Sequence, residues 1–138
     1  QLETQDEVFV ADLAEATFSN CIIYGNERVE VLFNNNDEAA FNFKFENSLL
    51  RIDPFNNQLL EEPEFNFENT DLYENIVLNQ SPDFFDTVRN QLIIGEESAA
   101  NGIGKPQIAQ DVPFDILGVN RTENPDAGAY ESVVFEED

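Results

Sequence analysis

Phe18-Ser19-Asn20-Cys21-Ile22-Ile23-Tyr24 returns 27 positions later as Phe45-Glu46-Asn47-Ser48-Leu49-Leu50-Arg51. The aromatic, the Asn, the small residue and the aliphatic pair keep their places. A period of about 20–50 residues marks stacked supersecondary units, none of which buries its apolar face alone. The unit is too short and too rich in strand formers for a helical repeat, so it predicts one coil of a β-solenoid. An Asn recurring at one place has a physical use there. Stacked side-chain amides donate to and accept from their neighbours, which predicts a ladder through Asn20 and Asn47.

Working outward, Val29-Glu30-Val31-Leu32-Phe33 and Ala40-Phe41-Asn42-Phe43-Lys44-Phe45 alternate at period two and predict strands. Asn34-Asn35-Asn36-Asp37 between them predicts a turn, because Asn and Asp tolerate left-handed backbone. From Asp53 the texture changes. Asp53-Pro54-Phe55, Glu62-Pro63-Glu64-Phe65, Ser81-Pro82-Asp83-Phe84-Phe85 and Val112-Pro113-Phe114 each place an aromatic shortly after Pro, as loop anchors do. A helical turn is expected after Ser81-Pro82-Asp83 and another over Glu97–Gly102, closed by Gly102. Leu92-Ile93-Ile94 and Ser132-Val133-Val134-Phe135 complete the strand candidates. The division is one domain over 1–138: coils over 1–52, loop excursions and a further strand over 53–114, and a closing segment over 115–138.

Composition narrows the function. A chain of 138 residues with 41% hydrophobic residues and thirteen Phe has enough buried anchors to fold. Its formal charge of −23 opposes nucleic acid and anionic membranes. There is no His, and Cys21 is the only thiol, which excludes an intrachain disulfide and a zinc site built on His or Cys. Cys21 takes the place of Ser48 in the other copy and reads as a small packed residue. Abundant carboxylates suit calcium, yet no Asp-x-Asp-x-Asp-Gly loop locates a site, so the metal ligands stay unassigned. No apolar run is long enough to span a membrane. The chain opens at Gln1 without an initiator Met or signal peptide. The expectation is that coils N-terminal to Gln1 are missing or supplied by another polypeptide.

Four stretches resemble a known family. Asn20-Cys21-Ile22-Ile23-Tyr24-Gly25-Asn26 and Asn47-Ser48-Leu49-Leu50 are similar to coil motifs of right-handed parallel β-helix proteins, the pectate-lyase-like superfamily. Glu97–Gly104 resembles the segment that follows the last coils in many secreted members, with Ala99 where proline is usual and Asn101 where aspartate is usual. Asp115–Arg121 and Pro125-Asp126-Ala127-Gly128-Ala129-Tyr130-Glu131 resemble two further stretches, the second a closing motif. The resemblance implies an all-β chain, a right-handed parallel β-helix fragment with long capping loops. It also implies an extracellular or outer-membrane surface location on a bacterium, often as a lipoprotein. Arg121, Asp126, Gly128, Tyr130 and Glu131 are then expected to close the last coil.

The superfamily does not fix an activity. Lyase members need a cation and a base, and six basic residues are on hand: Arg28, Lys44, Arg51, Arg89, Lys105 and Arg121. Against 29 carboxylates they read as scattered counter-charges, and no catalytic residue is assigned. The leading expectation is a non-catalytic surface module that binds a protein partner, upstream coils or a glycan. The alternatives are the C-terminal part of a polysaccharide lyase or hydrolase, and a structural subunit of an outer-membrane complex. Asn79-Gln80-Ser81 and Asn120-Arg121-Thr122 fit the N-glycosylation pattern. Asp86-Thr87-Val88 fits a bacterial O-glycosylation pattern, with Thr87 the acceptor.

Overall fold

The computed structural model describes residues 8–137. Three short units follow one another. In the first, β1 (Leu13–Ser19) turns at Asn20 into β2 (Ile22–Ile23); in the second, β3 (Phe41–Glu46) turns at Asn47 into β4 (Leu49–Leu50). In the third, β5 (Tyr73–Glu74) turns at Asn75 into β6 (Val77–Leu78). The first strands pair in parallel as β1-β3-β5, the second strands as β2-β4-β6. The register aligns Phe18 with Phe45 and Phe45 with Tyr73, then Ile22 with Leu49 and Leu49 with Val77.

Each corner needs a residue that accepts left-handed backbone, and Asn does so at less cost than other side-chain-bearing residues. Asn20, Asn47 and Asn75 have φ of 56°, 49° and 53°. The backbone bonds repeat with them: the Asn20 amide donates to the Glu46 carbonyl and the Asn47 amide to the Glu74 carbonyl. The third unit lies inside the stretch that the sequence presents as loop excursions.

A right-handed parallel β-helix is nevertheless not what the chain forms. The strands make two small parallel sheets and one antiparallel pair, and no sheet closes into a solenoid. The reason lies in the return segments. Only Val29 of the predicted strand Val29–Phe33 pairs, in a single antiparallel bridge to Ile52. The second return carries two 3-10 turns, Leu59–Glu61 and Pro63–Phe65, which have no counterpart in the first. Segments of unlike conformation present no common ladder, so a third wall does not build.

After β6 the chain leaves the parallel pattern. β7 (Phe84–Asp86) and β8 (Gln91–Ile94) form a hairpin where a helical turn was expected after Asp83. Glu97–Gly102 is a run of turns rather than a helix, and α1 (Pro106–Asp111) follows it, opened by Pro at its first position. The predicted terminal strand is reduced to one bridge, Gly95 to Val133.

Two cores result. The larger gathers Phe43, Phe45, Leu50, Ile52, Phe65 and Tyr73 between the first sheet and the 3-10 turns. The smaller gathers Leu49, Ile94, Ala100 and Ala127 on the far side of the second sheet. Of the aromatics after Pro, Phe65 is a true anchor at 2% exposure, while Phe55 at 89% and Phe114 at 56% stand in solvent.

Candidate functional site

The corner asparagines are brought together, but their amides are spent on a strap rather than on each other. Asn20 Nδ2 donates to the Lys105 carbonyl at 3.2 Å, and the Lys105 amide donates to Asn20 Oδ1 at 2.6 Å. Asn47 Nδ2 donates to the Ile103 carbonyl at 2.9 Å. The Ala99 amide, just upstream, bonds Ser81 after the third unit. Residues 99–105 therefore run from just past the third unit to the corners of the second and first. Lys105 Nζ adds an ion pair to Glu46 at 3.0 Å, and Ser19 Oγ donates to the same carboxylate at 2.6 Å. The Ser19 hydrogen bond, opposed by burial and joined by Lys105, holds the Glu46 carboxyl below its ordinary value.

The closing motif forms a knot of carboxylates on backbone amides. Asp126 Oδ1 accepts from the Gly102 amide and Oδ2 from the Ser132 amide, both at 2.7 Å. Glu131 accepts from the Asp126 amide, and Asp115 from the amides of Leu117, Val119 and Glu131. Arg121 lies inside, with Nε 3.2 Å from Glu131 Oε1, at an angle that is not a hydrogen bond, and Nη1 donating to the Gly128 carbonyl. Burial and then the Asp126 charge push the Glu131 carboxyl up. Burial acts the same way on Asp115, but three amide donors and Arg121 outweigh it and hold that carboxyl down. Such groups position loops.

The knot sits against the first unit, not the last. The Gly128 amide donates to the Asn20 carbonyl at 2.7 Å. Gly128 has φ of +95°, and a Cβ there would lie 2.7 Å from Ile22 Cδ1, so both backbone and space demand glycine. Tyr130 is half-buried and lines a small hollow with Ile22, Phe84 and Ile94.

The cations divide unevenly. Five of the six pair with carboxylates: Arg28 with Asp53, Lys44 with Glu74, Arg89 with Asp86, Lys105 with Glu46 and Arg121 with Glu131. Arg51 alone has no carboxylate partner among the described residues. Its Nη1 donates to the Gly25 carbonyl, and its guanidinium lies 5.2 Å from the Tyr24 ring centre. The pair forms one wall of an open cleft of about 490 Å³, whose lining also includes Asn26, Ser81, Asp83, Phe84 and Thr87. Thr87 stands exposed in the β7–β8 turn, where Asp86 Oδ1 accepts the Val88 and Arg89 amides. The Asn79 amide is engaged on both backbone groups of Ile52 and is not free for a sugar.

Sequence reasoning missed Tyr24 and the third corner. The pattern aromatic, acid, Asn, any residue, aliphatic pair recurs as Tyr73-Glu74-Asn75-Ile76-Val77-Leu78 and would have found the latter. Among the described residues no three carboxylates converge on a metal-sized site. No helix among them is long and apolar enough to cross a membrane. Comparison with known proteins finds no matching family model, curated protein or solved structure.

Proposed function

We propose that the chain is a non-catalytic binding module whose ligand is a glycan held in the Tyr24–Arg51 cleft. The observation that carries this reading is Arg51. In so acidic a chain, an arginine without a carboxylate among the described residues and laid on an aromatic ring is a recognition group kept available. A guanidinium offers paired donors to vicinal hydroxyls or a carboxylate, and Tyr24 and Phe84 offer apolar faces to a sugar ring. Asn26, Ser81 and Thr87 supply neutral donors and acceptors at the rim. The overall negative charge is screened beyond about 8 Å at physiological salt, and the carboxylate lining the cleft, Asp83, accepts the Glu97 amide, which leaves the guanidinium as the charge available to an acidic sugar. The acidic groups with displaced titration are engaged on backbone amides or on lysine, which supports a structural use for them.

Calorimetric titration with a glucuronate-containing tetrasaccharide and a neutral one tests the reading. Binding of the acidic sugar is expected, weakened about fivefold or more in both Arg51→Ala and Tyr24→Ala. Binding of neither sugar, or binding indifferent to Arg51→Ala, rejects the cleft. Unsaturated product detected by absorbance, lost in Arg51→Ala or Lys44→Ala, rejects the non-catalytic half.

A further inference from the structure

An aromatic column runs through the first sheet and is finished at one end only. Phe18 stacks on Phe45 with centroids 4.8 Å apart, and Phe45 on Tyr73 at 5.9 Å. Beyond Tyr73 the ring of Phe67 closes the column edge-on at 4.8 Å. Beyond Phe18, among the described residues, no ring follows: Phe18 is 41% exposed where Phe45 and Tyr73 are 3%. It looks into an apolar hollow of about 380 Å³ walled by Leu13, Ala16, Ile23, Val31 and Phe33.

Among the described residues the same end carries an unpaired strand edge, since β1 is the outer strand of its sheet. The Asn20 amide bonds inward to Glu46, and in a parallel ladder alternate residues face opposite neighbours. Thr17 and Ser19 thus turn their amides and carbonyls outward. The surface so presented repeats the one that β3 presents to β1: backbone groups without a strand partner among the described residues, the Ser19 carbonyl meeting only Cys21 Sγ at 3.3 Å, beside an aromatic face. Its complement is a strand parallel to β1 with an aromatic over Phe18.

Charge decides whose strand it is. Head-to-tail stacking of a second copy is disfavoured, because Phe67 already holds the place beside the Tyr73 ring at the end that would meet β1. Edge-to-edge pairing would join two chains of −23 each, with the exposed Glu15 of each at the contact. Within the fold, outward positions pair lysine with a carboxylate from another strand or segment, as in Lys44–Glu74 and Lys105–Glu46. We infer that β1 is a docking edge for an extended basic strand of a separate protein, added in parallel, with an aromatic on Phe18 and cationic side chains against Glu15. This is independent of the glycan cleft, which lies at Tyr24 and Arg51.

The probe is a synthetic peptide copying residues 41–51 with Glu46→Lys, beside an acidic control carrying Lys44→Glu and Arg51→Glu. Amide chemical-shift mapping on the unaltered chain should localise the basic peptide to residues 13–19 and Phe18. The acidic control should bind at least about tenfold more weakly, with the difference shrinking in high salt. Phe18→Ala, and Thr17→Pro, which removes an outward amide from an edge strand, should each weaken binding about tenfold. Val88→Ser, at an exposed site elsewhere, should leave it unchanged. Equal binding of the two peptides, or shifts away from residues 13–19, overturns the assignment. So does a dimer of the peptide-free chain that Phe18→Ala dissolves, which would give the edge to a second copy.

Discussion

Asn20 and Lys105 exchange two hydrogen bonds across 85 positions of sequence, side-chain amide to backbone in both directions. One residue thereby sets a corner with its left-handed backbone and fastens the strap with its side chain. The two roles are separable by mutation.

Asn20→Gly keeps the backbone conformation and removes only the amide. It should cost about 1–3 kcal/mol through the Lys105 amide left without its acceptor. Asn20→Ala should cost about 1–2 kcal/mol more, because alanine resists φ of 56°. Urea denaturation of the three proteins checks the order; equal stability of the Gly and Ala variants would remove the backbone half of the argument.

Glu46 makes stability depend on acid. Its carboxyl titrates below its ordinary 4.5, so its contribution is fully present above that pH and is lost as pH falls through the lowered folded value. Glu46→Gln should therefore cost about 1–3 kcal/mol at pH 7 and progressively less below pH 4.5. Thermal melts of both proteins from pH 7 to pH 3 measure the convergence. Glu131, displaced upward, acts with the opposite sign: its contribution is greatest when protonated and falls as pH rises through its folded value.

Gly128→Ala brings a methyl to 2.7 Å from Ile22 Cδ1 at a backbone angle alanine avoids. A loss of about 1–3 kcal/mol is expected. Adding Ile22→Val, which removes that Cδ1, should recover part of it. A double-mutant cycle with no coupling between the two sites would show that the contact is relaxed elsewhere.

Truncation after Asn124 removes Ala127, which is fully buried, together with the Asp126 carboxylate and the Gly128 amide. The truncated chain should lose cooperative unfolding and aggregate at concentrations where the full chain is monomeric. Light scattering and calorimetry report both. A monomeric, equally stable product would make residues 125–137 an appendage.

Much of the stacking was legible and the closure was not. Asn20 and Asn47 share a local context, so their common corner shows in the letters. Asn75 escaped because Tyr73 replaces Phe, Ile76 replaces the small residue, and the spacing lengthens by one. The repeat reports which strands pair in parallel but is silent on the return segments, and these prevent a β-helix. Phe55 and Phe65 follow proline alike, yet only Phe65 has a 3-10 turn to carry it inward. The cleft was illegible for a different reason. Tyr24 and Arg51 hold the same place in the repeat and so stand side by side, but Thr87 comes from a separate segment that the repeat does not announce.

The strap has a bearing on how the chain acquires its structure. The first unit's corner is complete only when Lys105 and Gly128 have reached it, closing loops of about 85 and 108 residues whose entropy grows with length. During synthesis the first two units therefore wait, paired but unfastened, until most of the chain has left the ribosome. Their apolar edges are open to wrong partners throughout that interval. A strongly negative chain repels its own copies on neighbouring ribosomes during this wait, so the acidity serves assembly as well as the finished surface.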